Sequence, residues 1–328
     1  MQAALIDAGH QVRVATVPDP EPGPAEVVVQ VAAAGICGTD LHILHGEYPS
    51  NLPLVPGHEF AGTVAAVGQG VPSDLLGQPV AVDPNIPCNS CRYCREGRVQ
   101  LCTDYRAIGV TQAGAAAASV VVPAALCFPL PQGTDLQLAA LLEPIACAVH
   151  GIDLIGADIG RRVAIFGGGT MGLAMLQLAL LAGAASVDVI ERAAFKHEAA
   201  LGLGAQSAVL SAEELDHTWD VVIDATGNPA AITEGIARTG RGGTFLQFGV
   251  SSPQATVPIN PYRIYDDEIR ILGSVCPGNA FQRACDLLGR LHLDPLVSHR
   301  VSLTDYPAAL EAFASGTTKK VLVIPEDA

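Results

Sequence analysis

The chain has 328 residues, enough for about two domains, each with its own core, and this excludes a disordered, collagenous or disulfide-stapled mini-protein. Eighteen Lys and Arg stand against 33 Asp and Glu, a net charge of −15 with no basic cluster longer than Arg161-Arg162 or Lys319-Lys320, which excludes nucleic acid and anionic membrane as partners. Hydrophobic residues make up 49% but aromatics only 5%, so Ala, Val, Leu and Gly build the interior, as in tightly packed α/β proteins.

The N-terminal Met-Gln-Ala-Ala-Leu-Ile-Asp lacks a basic segment followed by an apolar core, and the expectation is a reducing cytoplasm. After the proline-rich Pro18–Pro24, Glu26–Val31 reads as a strand and Gln78–Asp83 as another, so the first 150 residues or so form a β-rich lobe. Thr134-Asp-Leu-Gln137 has the spacing of a capping box, predicting a helix from there through about His150. Arg162–Phe166, the cluster Gly167-Gly-Gly-Thr-Met-Gly172, an apolar helix and Val187–Ile190 then make a βαβ unit of a parallel sheet. The apolar stretch Gly172–Val187 is shorter than the ~20 residues that span a bilayer and reads as a buried helix. Asp220–Asp224, Thr244–Phe248 and Ile269–Leu272 prolong the sheet, while a helix opening at Thr304 and a strand Lys320–Ile324 have no obvious place in it.

Gly167, Gly169 and Gly172 satisfy G-x-G-x-x-G, with Thr170 and Met171 between the last two. Such a turn lets the backbone approach a pyrophosphate at a helix N-terminus. Glu191 ends the next strand nineteen residues after Gly172; a carboxylate there bonds a ribose 2′-hydroxyl and repels a 2′-phosphate, which favours NAD over NADP. Arg192 beside it points the other way, as a receptor for that phosphate. Thr226, just past the strand Asp220–Asp224, completes the candidate cofactor contacts.

Nine cysteines in a cytoplasmic chain call for a metal or catalytic reading. Cys88-x2-Cys91-x2-Cys94-x7-Cys102 places four thiols in one loop, enough to close a tetrahedron around a structural zinc with no open position. A ferredoxin-type cluster would continue with three residues to a Cys-Pro; here seven intervene and Thr103 follows. A second, dispersed set comprises Cys37, the pair His58-Glu59 and Glu143: thiolate, imidazole and carboxylate, the ligand types of catalytic zinc.

With Gly57-His58-Glu59-x2-Gly62-x5-Gly68, the four-cysteine loop and the glycine turn in this order, the sequence resembles the zinc-dependent medium-chain dehydrogenase/reductase family over nearly its whole length. The resemblance implies an α/β chain with a β-rich GroES-like catalytic domain, 1–146 and 288–328, interrupted by a Rossmann doubly wound parallel-sheet domain, 147–287. It also implies that Cys37, His58 and either Glu59 or Glu143 hold the catalytic zinc, Glu143 standing where simple alcohol dehydrogenases have a second cysteine. Thr39 is similar to the hydroxyl that bonds the substrate oxygen, His42 to the histidine that passes the proton outward, and Asp40 to the carboxylate that orients the zinc-bound imidazole.

Gly35–Ile43 followed by His45-Gly-Glu-Tyr48 looks most like the polyol and ketose-reductase branch, and Leu296–Arg300 like the segment that returns to the catalytic domain. Ala116 stands where relatives carry an aromatic that walls the substrate pocket, which implies a roomier pocket. The expected protein is therefore an NAD-dependent, two-zinc polyol dehydrogenase and a homo-oligomer, tetramer or dimer. Threonine or simple diol oxidation is the alternative within the family. A non-catalytic dinucleotide-binding protein is the alternative outside it, and that reading predicts loss of zinc ligands which this chain retains.

Overall fold

The computed structural model describes residues 1–156 and 159–325 and divides the chain into two compact units: Met1–Ala146 together with the chain from Phe281 onward, and Cys147–Ala280. Residues 157, 158 and 326–328, which the expected domain ranges include, lie outside the described residues. The return to the first unit comes at Phe281, ahead of the 288 expected from sequence. Phe281 and Ala284 are buried, and the Phe281 ring packs 4.7 Å from that of Phe128, so the helix they belong to is part of the first unit's core.

In chain order the first unit contains β1 (Gln2–Ile6), β2 (Val12–Thr16), β3 (Glu26–Gly35), α1 (Gly38–Leu44), β4 (Glu59–Val67), β5 (Pro79–Val82), β6 (Asn85–Ile86), α2 (Arg92–Arg95), β7 (Arg106–Ala107), β8 (Ser119–Pro123), β9 (Cys127–Pro129), α3 (Leu136–Ala139) and the start of α4 (Leu142–Ile155). The second contains β10 (Arg162–Phe166), α5 (Thr170–Leu181), β11 (Ser186–Ile190), α6 (His197–Gly202), β12 (Ser207–Val209), β13 (Trp219–Asp224), α7 (Pro229–Arg238), β14 (Thr239–Gln247), α8 (Pro261–Asp266) and β15 (Arg270–Gly273). The chain then returns through α9 (Phe281–Leu287), β16 (Val297–Ser302), α10 (Tyr306–Ala314) and β17 (Lys320–Ile324).

The main sheet of the first unit runs β16-β17-β3-β4-β5-β9, with β8 also on β3. The last strand of the chain thus lies against an early one. Both faces of β3 are covered, which is why its valines form a continuous run instead of alternating with polar residues. Gly62 permits the close pairing of β3 and β4: a Cβ there would sit 2.0 Å from the carbonyl oxygen of Gln30. The second unit is a six-stranded parallel sheet whose strands, counted within the unit, lie in the order 3-2-1-4-5-6. This is the doubly wound arrangement whose strand order reverses between β10 and β13, where such sheets bind ligands at their carboxyl ends. The apolar α5 is buried along Gly172–Ala179, so the helix expected from Gly172 is a core helix that begins two residues earlier.

One local expectation is corrected. The helix expected from Thr134 to about His150 is two helices, and its cap is Asp135, whose carboxylate accepts from the amides of Gln137 and Leu138. The Thr134 hydroxyl donates to the Pro131 carbonyl instead, because the turn has already directed it backwards. The four residues of α3 end before Leu142, where α4 starts.

Asp83, at the end of β5, accepts from the Asn85 amide at 3.1 Å, yet burial lifts its carboxyl from 3.8 to about 6. A carboxyl raised on folding contributes stability below its unfolded value that is lost as pH rises through the folded one, here between about 4 and 6. Asp83→Asn keeps an acceptor without the charge and is expected to gain on the order of 2 kcal/mol at pH 7.5. Urea midpoints measured across pH 4–7.5 check this: the advantage of the variant should vanish near pH 4.

Candidate active site and metal centres

Strand register assembles the first site. Gly35 pairs with Glu59 in β3–β4, so Cys37, just past β3, lies beside His58-Glu59 at the start of β4. Leu322 pairs with Gly35 across β17–β3 in the antiparallel sense, which brings Lys320 to the same place. The donor atoms of Cys37, His58 and Glu59 all lie within 4.8 Å of one another.

Asp40, fully buried on α1, holds this corner. One of its oxygens accepts from the Cys37 amide at 2.9 Å and the other lies 3.7 Å from His58 Nδ1. Burial pushes the Asp40 carboxyl up, against the pull of His58 and of that amide. Burial by itself would lower His58, but the charge and hydrogen bond of Cys37, with Asp40 and Glu143, hold it well above 6.5. With Nδ1 turned to Asp40, the imidazole presents Nε2 to the cluster.

Lys320 is the group that sequence reasoning missed. Its buried Nζ donates to the Ile36 carbonyl at 3.0 Å and to the two carboxylate oxygens of Glu59 at 2.7 and 2.5 Å. All three ammonium protons therefore have acceptors, and Glu59 keeps the lysine charged although burial opposes it. The available signal was a lysine opening the strand Lys-Val-Leu-Val-Ile, of which only the last residue is not buried.

Thr39 Oγ1 lies 3.7 Å from Cys37 Sγ, and His42 is on the same helix with its Nδ1 2.6 Å from Glu47 Oε2. Glu143 is buried in the first turn of α4, outside the set that meets within 4.8 Å, although its charge acts on His58 and Lys320. Ala116 has no exposed surface and belongs to the buried cluster that includes Ile36, Val55 and Tyr306.

The second site is self-contained. The sulfurs of Cys88, Cys91, Cys94 and Cys102 lie within 4.8 Å of one another, two of them before α2, one within it and one beyond it. Zinc–sulfur bonds of ~2.3 Å require sulfur separations of roughly 3.8 Å, so a small contraction would suffice to close this cage around zinc. The amides of Cys94 and Thr103 draw the Cys91 thiol down to about 6, toward the thiolate that binds metal.

The third site lies at the strand-order reversal of the parallel sheet. Phe166 and Asp224 end neighbouring strands, so Thr226 stands over the glycine turn; a Cβ on Gly167 would come 2.9 Å from Thr226 Cγ2. At Gly172 a Cβ would fall 1.7 Å from the Gly167 carbonyl oxygen, so only glycine lets α5 start this close to β10. No side chain caps α5, which leaves the amides of Thr170 and Met171 facing outward beyond Gly169 as an anion cradle.

Glu191 is a staple: its oxygens accept from the Gly168 and Ala193 amides, each at 2.8 Å, with Lys196 Nζ 3.8 Å away. Arg192 is exposed beside it. The Thr226 hydroxyl donates to the buried Asp224 at 2.5 Å, so its own bond is spent on shaping the loop.

Residues 23–132 match the model of the alcohol dehydrogenase GroES-like domain, and residues 170–290 that of the zinc-binding dehydrogenase domain. D-arabinitol dehydrogenase 1 of Uromyces fabae is 35% identical over 92% of this chain and 90% of its own. D-altritol 5-dehydrogenase of Agrobacterium fabrum is 34% identical over 92% of each chain. The crystal structure of a zinc-binding dehydrogenase from Sinorhizobium meliloti bound to NADP superposes with a TM-score of 0.95 at 38% identity, covering 99% of both chains. The chain belongs to the zinc-dependent alcohol dehydrogenase family, oxidoreductases that act on CH–OH groups.

Proposed function

We propose that this protein oxidises a secondary alcohol of a polyol to the ketone with NAD as hydride acceptor. The observation that carries the reading is the meeting of Cys37, His58 and Glu59 donors within 4.8 Å, with a buried carboxylate behind the imidazole. His58 Nδ1 and Asp40 Oδ1 are buried 3.7 Å apart without a hydrogen-bond partner, which fits an imidazole whose Nε2 would hold a metal and whose Nδ1 would be oriented by the carboxylate. Cys37, His58 and a carboxylate, Glu59 or Glu143, would hold the catalytic zinc; Cys88, Cys91, Cys94 and Cys102 would hold a structural one. Bound at these sites, zinc supplies Lewis-acid polarisation of the alcohol oxygen and the dinucleotide a hydride acceptor.

The chain's own groups do the rest. Thr39 orients the substrate hydroxyl and takes its proton, and His42 passes the proton to water. Asp40 fixes the His58 ring. The amides at the start of α5 bind the pyrophosphate, and Glu191 accepts from a ribose hydroxyl while its charge disfavours a 2′-phosphate, so NAD is preferred although the Sinorhizobium relative was solved with NADP. Met1–Ala146 with the chain from Phe281 is the metal-binding catalytic domain and Cys147–Ala280 the nucleotide-binding one.

The polyol follows the arabinitol and altritol relatives. A homo-oligomer, dimer or tetramer, is supported by the outer edge of β15 and by Tyr262 and Tyr265 just before it, 66% and 80% exposed. Cysteines gathered in metal-ligand clusters, Cys88, Cys91, Cys94 and Cys102 above all, suit a reducing cytoplasm. Among the described residues no helix is long and apolar enough to cross a membrane.

The test is a screen for absorbance at the NADH band with four- to six-carbon polyols, threonine and butanediol, using NAD and NADP in parallel. A polyol with NAD should give the highest kcat/KM. Threonine as the best substrate, or a preference for NADP, would overturn the corresponding part of the assignment.

A further inference from the structure

Helix α1 ends in a closed backbone motif. The Gly46 amide donates to the Ile43 carbonyl at 3.0 Å and the Glu47 amide to the His42 carbonyl at 2.8 Å, with Gly46 at φ +71°. This pattern draws the residue two past the cap back over the third-last helical residue, and an apolar pair usually meets there. Here the two positions hold Glu47 and His42, and Oε2 lies 2.6 Å from Nδ1. Both backbones are fixed by one turn, so the contact costs little of the ordering entropy that weakens most exposed ion pairs.

An imidazole facing a carboxylate through Nδ1 keeps its proton on that nitrogen and leaves the lone pair on Nε2. We propose that Glu47 is a positioning residue for proton exit: it holds neutral His42 as the Nδ1–H tautomer, so that Nε2 is the acceptor for the proton that leaves the alcohol through Thr39. The proton gained at Nε2 is the one then given to water, since the His42 side chain is 33% exposed, and the ring returns to its starting tautomer without a flip. Glu47 itself touches no substrate. The inference rests on His42 being the proton carrier, and the experiment separates the two.

In the zinc-loaded enzyme with ¹⁵N-labelled histidine, long-range ¹H–¹⁵N spectra, assigned with His42→Gln, should show His42 as Nδ1–H. Glu47→Ala should mix the tautomers and lower kcat about tenfold at unchanged zinc content and KM. Glu47→Gln should recover most of the rate, because its amide oxygen still accepts from Nδ1–H. Glu47→Ala should cost nothing further in a His42→Ala background. An Nε2–H tautomer in the unaltered enzyme, or an equal loss in the His42→Ala background, overturns the proposal. Full turnover by His42→Ala alone overturns the carrier role, while the spectra still decide whether Glu47 sets the ring.

Discussion

Cys37→Ser is expected to lower alcohol-dependent NADH formation by on the order of 10³-fold and to reduce bound zinc from two ions per chain to one. A hydroxyl stays protonated at neutral pH and is a poor ligand for zinc where a thiolate is a good one. Lewis-acid stabilisation is worth several kcal/mol of the barrier, and each 1.36 kcal/mol is tenfold in rate. The four-cysteine loop is built from other residues, so metal analysis should find the remaining zinc there. Melting should change little, because Cys37 lies past the end of β3 and contributes no ladder bond. Turnover within tenfold of the unaltered enzyme, with two zinc ions still bound, would rule out Cys37 as a ligand.

Lys320→Met should produce the largest loss of stability of any single change in the first unit. It strips Glu59, 2% exposed, of the ammonium that both its oxygens accept from and leaves the Ile36 carbonyl without the donor it had. Removing one partner of a buried ion pair costs about 3–5 kcal/mol, where replacing both is often neutral. A fall of roughly 10 °C in melting temperature follows for a unit of this size. The double variant Lys320→Met/Glu59→Gln should recover at least half of it, because the remaining amide is neutral and can donate to Ile36. A double variant as unstable as the single one would show that the lysine acts through packing and not through charge.

The contrast between Cys37 and Lys320 shows what the amino-acid order reveals. The glycine turn and the four-cysteine loop were legible because each is made of neighbours in sequence at a fixed spacing. Cys37 and His58 were legible through the family resemblance, and their meeting follows from the register of β3 against β4. Lys320 was not, since its partner is 261 positions away and only the placement of β17 on β3 joins them. The same limit governed the choice between carboxylates: Glu59 joins the cluster with both oxygens already bonded to the lysine, while Glu143 remains outside it. The capping error at Thr134 is more local. Thr134 and Asp135 are both competent caps, and which serves is decided by the turn before them, not by residue type.

The register of β17 also fixes an order of events during synthesis. The second unit is complete once Ala280 has been made, whereas the sheet of the first lacks two strands until Val297–Ile324 has emerged. Until then Glu59 has no lysine beside it, and the edge of β3 that β17 will cover stays open. The parallel-sheet unit can therefore form first and the other closes last, with β16 and β17 as the closing pieces. A ribosome stalled before Lys320 would carry one finished domain and one that cannot yet bury its acid.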